Sequence, residues 1–186
     1  MRNQIIEFYN DPDFQRLNSY YNRTTIFNIL NIERRELSHS AFLKWLFDIN
    51  GSHNFGEEPL KKLLRMLVNT DNDNILSEDI LNILLIGDYE IQNFHIETEK
   101  VVESDKNKGR IDIFAKFNIF KENSEKDFKK DIIVIIENKV DSKHHDDQTT
   151  TYKEWAEKKY NESVIIPIYL TPYPENEKNE IANYFI

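Results

Sequence analysis

Five consecutive aliphatic residues, Ile132-Ile133-Val134-Ile135-Ile136, run straight into Glu137-Asn138-Lys139, and no other stretch limits the fold of this chain as strongly. A run so short and so apolar suits a strand covered on both faces, which requires helices above and below the sheet. Strand side chains alternate, so Glu137 and Lys139 project from one face and Asn138 from the other. Charges that close such a strand are either paired or functional.

The preceding segment, Gly109-Arg110-Ile111-Asp112-Ile113-Phe114, also reads as a strand, and the polar stretch from Lys121 to Lys130 reads as the turn between the two. Centring the hairpin near residue 125 or 126 predicts Asp112 opposite Lys139 and Phe114 opposite Glu137. Asp112, Glu137 and Lys139 then fall within side-chain reach of one another. Two carboxylates and an ammonium at one sheet end suit phosphodiester hydrolysis. Hard carboxylate oxygens hold Mg2+ or Mn2+, and a lysine positions a water or offsets charge developing on the phosphate. The competing reading is a surface ion pair contributing about 0 to 1 kcal/mol.

Apolar periodicity makes the first third helical. Phe42, Trp45, Leu46 and Ile49 follow the i, i+3, i+4, i+7 spacing of a buried stripe, and Asn50-Gly51 is expected to end that helix. Pro59 opens another helix with Leu60, Leu63, Leu64, Leu67 and Val68 on one face, and Ser77 is an expected N-cap for a third, Ser77 to Ile86. The period then changes to two. Strands are expected at 91–102, 110–120 and 131–140, a helix at 146–160 and a strand at 164–170, where Pro167 implies an edge or a bulge. This order predicts an α/β fold, a mixed central sheet flanked by helices with a helical N-terminal region. We expect one domain over 1–186: a mainly helical part (1–90), the sheet core (91–170) and a tail (171–186).

The length and the 39% hydrophobic content suit a globular domain, and the absence of cysteine excludes disulfides and thiolate metal sites. The amino terminus lacks the apolar stretch of a signal peptide, from which a cytoplasmic protein is expected. A net charge of -9 argues against a nucleic-acid partner, since nonspecific binding usually rests on a basic surface. A carboxylate metal site adds to that negative count, however, and basic residues from Lys106 to Arg110, with Lys139, Lys143, Lys153, Lys158 and Lys159, leave room for a local stripe. The apolar end, Tyr184-Phe185-Ile186, either tucks into the core or marks a fragment of a longer protein.

Outside the strands, Gln148 and Tyr152 lie four apart on the expected last helix and share a face, where they either bond a phosphate, a base edge or Lys139 or form only a polar helix face with a half-buried tyrosine. Glu36 and Ser40 share a face in the same way, and Glu36 either aims a third carboxylate at the site or only complements the helix dipole. The histidines, including the adjacent His144 and His145, show no HExxH-like spacing and read as surface or loop residues, with His39 near enough to Glu36 to support it.

Together, Glu36-x-x-x-Ser40, Arg110-Ile111-Asp112, Glu137-Asn138-Lys139 and Gln148 to Tyr152 resemble the PD-(D/E)xK nuclease superfamily, within it a bacterial and phage group with an N-terminal Glu-x-x-x-Ser motif. Ile111 stands where the superfamily's name motif has proline. The resemblance implies a restriction-endonuclease-like core and a metal-dependent nuclease acting on nucleic acid; DNA is the expected substrate, and the choice between DNA and RNA is left open by the sequence. It implies Glu36, Asp112 and Glu137 as ligands of Mg2+ or Mn2+, Lys139 as the group orienting water, and Gln148, Tyr152 and Ser40 as supporting or substrate contacts. Defence, restriction and repair are roles carried by analogy of fold alone. A nuclease-fold module that no longer cuts and instead binds nucleic acid or protein is the alternative, and oligomeric state, with a homodimer among the options, is left open.

Overall fold

The computed structural model describes residues 2–21, 25–32, 35–68, 76–103, 108–122, 127–139 and 146–171, with only the backbone at 2–3, 20–21, 27–28 and 146–150. These residues form two compact units, Met1–Arg34 and Arg35–Ile186. The first holds α1 (Arg2–Asn10), α2 (Pro12–Tyr21) and α3 (Ile26–Ile29). Asp11 starts α2: its Oδ1 accepts the N–H groups of Asp13 (2.9 Å) and Phe14 (3.0 Å), and Pro12 at the first helical position loses no helical bond. Phe14 packs on Phe8 and Tyr9 across the turn.

The second unit contains α4 (Glu36–Phe47), α5 (Glu58–Val68), α6 (Glu78–Ile86), β1 (Glu90–Glu103), β2 (Lys108–Lys121), β3 (Phe128–Asn138), α7 (Asp146–Lys159) and β4 (Val164–Leu170). The strands stand in the order β1-β2-β3-β4; the first three pair antiparallel, and β4 returns parallel to β3 after α7. Pro167 sits on β4, at the edge of the described sheet, the position expected for a residue without an N–H. The fold is therefore α/β with a mixed sheet, as the alternation of elements predicted. Among the described residues no helix is long and apolar enough to cross a membrane.

β3 is interior and buried from Ile132 to Asn138. Ile132, Val134 and Ile136 join a core with Leu60, Leu64 and Leu84 of α5 and α6, while Ile133 and Ile135 join a second core with Tyr152 and Ala156 of α7. Full burial of each aliphatic side chain contributes about 1.5–3 kcal/mol, so the five together anchor the sheet end that carries Glu137 and Lys139.

Three expectations need correction. The β2–β3 register is displaced by two residues: Phe114 pairs with Ile135 and Ile113 with Ile136, because the ladder reaches Lys121 and Phe128 and so centres its turn earlier than assumed. A shift of two keeps every side chain on its face, so the clustering survives. On α4 the buried positions are Ser40 and Phe47 with Leu43 and Leu46 partly covered, whereas Phe42 is 45% and Trp45 38% exposed. Both stripes have helical spacing, and tertiary packing selects the one aligned with Glu36. The helix also stops at Phe47, with Asp48 as C-cap tied to Lys44 at 2.8 Å, ahead of Asn50-Gly51. Ser77 is the N-cap of α6, as expected, though without a side-chain cap bond, and Gly87 in the left-handed region ends the helix.

Candidate active site

Glu137 and Lys139 sit where β3 leaves the core. The Glu137 side chain is only 5% exposed, and its Oε1 pairs with the Lys139 Nζ at 2.9 Å. The same ammonium stands 4.0 Å from Oε2 of Glu36, on the first turn of α4. The Lys139 N–H donates to the Leu170 carbonyl at 2.9 Å, which fixes the lysine backbone against β4.

Asp112 lies on β2 just beyond the last rung with β3. Its Oδ2 accepts the Asn138 N–H at 2.8 Å, so a carboxylate replaces the backbone ladder at this point. Asn138 was read from the sequence only as the residue facing away from the pair. It is a structural link: its Nδ2 donates to the Ser40 Oγ at 3.1 Å and the Glu36 carbonyl at 3.3 Å, tying α4 to the end of β3. The one signal available was a polar residue closing the α4 face of a buried aliphatic run. Ser40 is buried beside it, which accounts for the Glu-x-x-x-Ser spacing: the serine holds the helix and the glutamate one turn earlier reaches the ammonium.

Burial pushes the Glu137 carboxyl up to about 7, and the nearby Asp112 charge adds to the effect against the stabilising Lys139 bond. Burial also raises Asp112, opposed by the Asn138 N–H and Lys139 and reinforced by the charges of Glu99 and Glu36. For Lys139, burial works against the charged form, but the bond to Glu137 and the surrounding carboxylates outweigh it and raise the amine above its ordinary value. The ammonium is thus held protonated amid acids that repel one another.

Tyr152 projects from α7 to β2. Its hydroxyl donates to the Arg110 carbonyl at 2.9 Å and accepts the Arg110 N–H at 3.1 Å, clamping the backbone two residues before Asp112. The phenol was expected to meet a phosphate, a base edge or Lys139; its two bonds here go to the main chain. Gln148 lies on α7, and its side chain is outside the described residues, as are His144 and His145. His53 stacks on Phe55 and meets Trp45 edge-on, and His95 is a surface partner of Glu97. Lys108 and Arg110 are paired with Glu103 and Glu99. Lys106 and Lys143 are outside the described residues.

The tyrosine clamp depends on Gly109. A Cβ there would fall 2.4 Å from Cε1 of Tyr152, closer than packed atoms tolerate. Gly109→Ala is expected to cost about 1–3 kcal/mol through overpacking, measured as a lower urea midpoint with an unchanged slope. Wild-type stability in that variant would show that the ring yields freely and clamps nothing.

The donor set suits a hard divalent cation: three carboxylates converge, and Oε2 of Glu137 is buried without a hydrogen-bond partner among the described residues. As the side chains stand, no three acidic or histidine residues among those described are close enough to hold an ion, and the Lys139 Nζ lies 2.9 Å from Glu137 and 4.0 Å from Glu36. The residues fit the group in chemistry, and closing on it requires movement of the lysine head or the Glu36 side chain.

A sequence model of the PD-(D/E)XK nuclease superfamily matches residues 24–183, which takes in α4, the whole sheet and α7. No curated protein and no solved structure matches the chain. Nucleases of this superfamily typically use divalent metal ions. With that match over most of its length, and with an acid-x-lysine pair closing a buried strand beside a second strand's aspartate, the chain belongs to the PD-(D/E)XK nuclease superfamily.

Proposed function

We propose that this protein is a metal-dependent nuclease that hydrolyses phosphodiester bonds of DNA, with Asp112, Glu137 and Glu36 holding Mg2+ or Mn2+. The observation that carries this reading is Glu137: a carboxylate 5% exposed, with one oxygen on Lys139 and the other without a hydrogen-bond partner among the described residues. Leaving a buried carboxylate oxygen unsatisfied costs stability, and a cation repays that cost. When bound, such an ion neutralises charge on the phosphate and lowers the pKa of a coordinated water.

The remaining work falls to the chain. Lys139 donates from a protonated amine to the attacking water or to a phosphate oxygen, in a setting where burial strengthens each such bond. Asn138 holds the Asp112 carboxylate through its N–H and holds α4 through its amide, so Asp112 and the backbone that carries Glu36 are both tied to the end of β3. Tyr152 and Ser40 support these contacts from α7 and α4.

One observation favours the second reading, a nuclease-fold module that binds without cutting: Lys139 stands between two of the carboxylates that would take the ion. The test is cleavage of labelled duplex DNA, single-stranded DNA and RNA with Mg2+, Mn2+ or EDTA. Metal-dependent cutting that EDTA stops is the expected result. No cutting, with no heat of Mn2+ binding by calorimetry, sinks the nuclease reading and leaves the binding module.

A further inference from the structure

β1 and β2 exchange faces at a single rung. Along β2, Ile113, Ala115, Phe117 and Ile119 belong to the core under α5 and α6, but Ile111 belongs to the core under α7. A regular strand would keep residues 111 and 113 on one face. Along β1 the same reversal separates Ile96 from Val102. The pairs Thr98 with Ile113 and Lys100 with Ile111 flank the change, so the rung between them holds Glu99 and Asp112.

Glu99 has φ 58°, in the left-handed region. The other described non-glycine residues with positive φ, Asn31, Asn54 and Asn93, are asparagines, whose short amide side chain tolerates that conformation. A glutamate gains no such local help, so the surrounding structure must hold it there, and residues held this way gather at functional sites. Its Oε2 takes the Arg110 Nε at 2.8 Å, and its Oε1 is buried with no hydrogen-bond partner among the described residues. The backbone of that same Arg110 is the one clamped by Tyr152. Beyond the reversal β2 no longer pairs with β3, and the Asp112 carboxylate reaches across to the Asn138 N–H instead.

We propose that Glu99 is a positioning residue: its left-handed backbone reverses the two strands at the rung of Asp112 and so turns the Asp112 carboxylate toward the end of β3. The proposal deepens the nuclease reading and rests on it for its functional consequence, since a straight ladder at this rung would leave Asp112 in an ordinary face position. The backbone conformation carries the role, and the Arg110 pair secures it.

The test compares Glu99→Gly and Glu99→Asn, which suit positive φ, with Glu99→Val, which a β-branched side chain makes unfavourable there. Glu99→Ala is the milder substitute should the valine variant not fold. The direct readout is hydrogen exchange at the Asn138 amide, which needs no metal and no substrate. Protection within about threefold of wild type is expected for the glycine and asparagine variants, and exchange at least about tenfold faster for valine, or for alanine in its place. Mn2+-dependent cleavage is expected to follow the same order. Equal exchange in all variants, or glycine as fast as valine, overturns the proposal. A wild type that cuts nothing while the exchange order holds would remove the nuclease and leave the positioning role.

Discussion

Lys139→Ala is expected to lower metal-dependent cleavage by at least about 10^2–10^3-fold, the range seen when one preorganised donor to a developing charge is removed. The Lys139 ammonium is the cation shared by Glu137 at 2.9 Å and Glu36 at 4.0 Å, and its side chain is 15% exposed. Water therefore has little room to replace it. Lys139→Arg is expected to fail as well, because a planar guanidinium fork cannot occupy the place of a compact ammonium. Losing the lysine need not unfold the protein, since Glu137, already pushed to about 7, can take a proton in place of carrying an unpaired buried charge. The variant should thus melt close to wild type at pH 6 and bind Mn2+ at least as tightly, the competing ammonium being gone. Turnover equal to wild type in Lys139→Ala, measured under single-turnover conditions, would remove this residue from the chemistry.

The parts of this molecule legible in the sequence are those where one physical demand dominates. Five buried aliphatics in β3 permit only an interior strand, and the strand period then places Glu137 and Lys139 together without further information. The outer position of β4 suits the missing N–H of Pro167, and its parallel return follows from the α7 crossover that connects it to β3. Where two patterns satisfied the same rule, packing decided. Both faces of α4 have helical spacing, and the buried one is the less apolar, because Ser40 bonds Asn138 beneath the helix while Phe42 stands 45% exposed. The register slip arose because a polar turn has no periodicity to count.

The site's supporting residues were harder to see. Asn138 acts through a main-chain donor and a side-chain amide at once, a role no spacing announces. Glu99 leaves still less trace, since a left-handed glutamate follows no sequence preference and becomes visible only when the cores show which side each residue faces. Tyr152 lies on the helix face expected of it, and its hydroxyl supports the strand through the Arg110 backbone, a contact that no residue spacing announces.

The metal-free protein is expected to lose stability as pH rises from 5 to 8, the reverse of ordinary acid denaturation. Glu137 has an ordinary value of 4.5 and is pushed up to about 7 in the fold by burial first and by the Asp112 charge second. A carboxyl raised on folding binds its proton more tightly when folded, so its contribution is complete below about 4.5 and disappears as pH passes 7. At 1.36 kcal/mol per unit this amounts to about 3 kcal/mol. Asp112 is shifted in the same direction and adds to the fall. Asp48 and Glu97 are lowered: for Asp48 burial pulls upward, but the Lys44 bond and charge, the Asn50 N–H and the nearby His53 together outweigh it, and Glu97 is lowered chiefly by its Lys100 bond. Their contributions are lost only in acid, below the ordinary carboxylate range, so the two windows do not overlap. Urea denaturation in EDTA at pH 5, 6, 7 and 8 measures the slope directly. Glu137→Gln, which keeps the shape and cannot ionise, should flatten the curve to the share owed to Asp112. Adding Mn2+ to the wild type at pH 8 should restore what the proton supplied at pH 5, because an ion that binds only the folded site stabilises it by mass action. Glu137→Gln should gain little from the same addition. If the variant keeps the full wild-type slope, the buried carboxylate of Glu137 is not the group that titrates, and the electrostatic case for a cation at this sheet end fails with it.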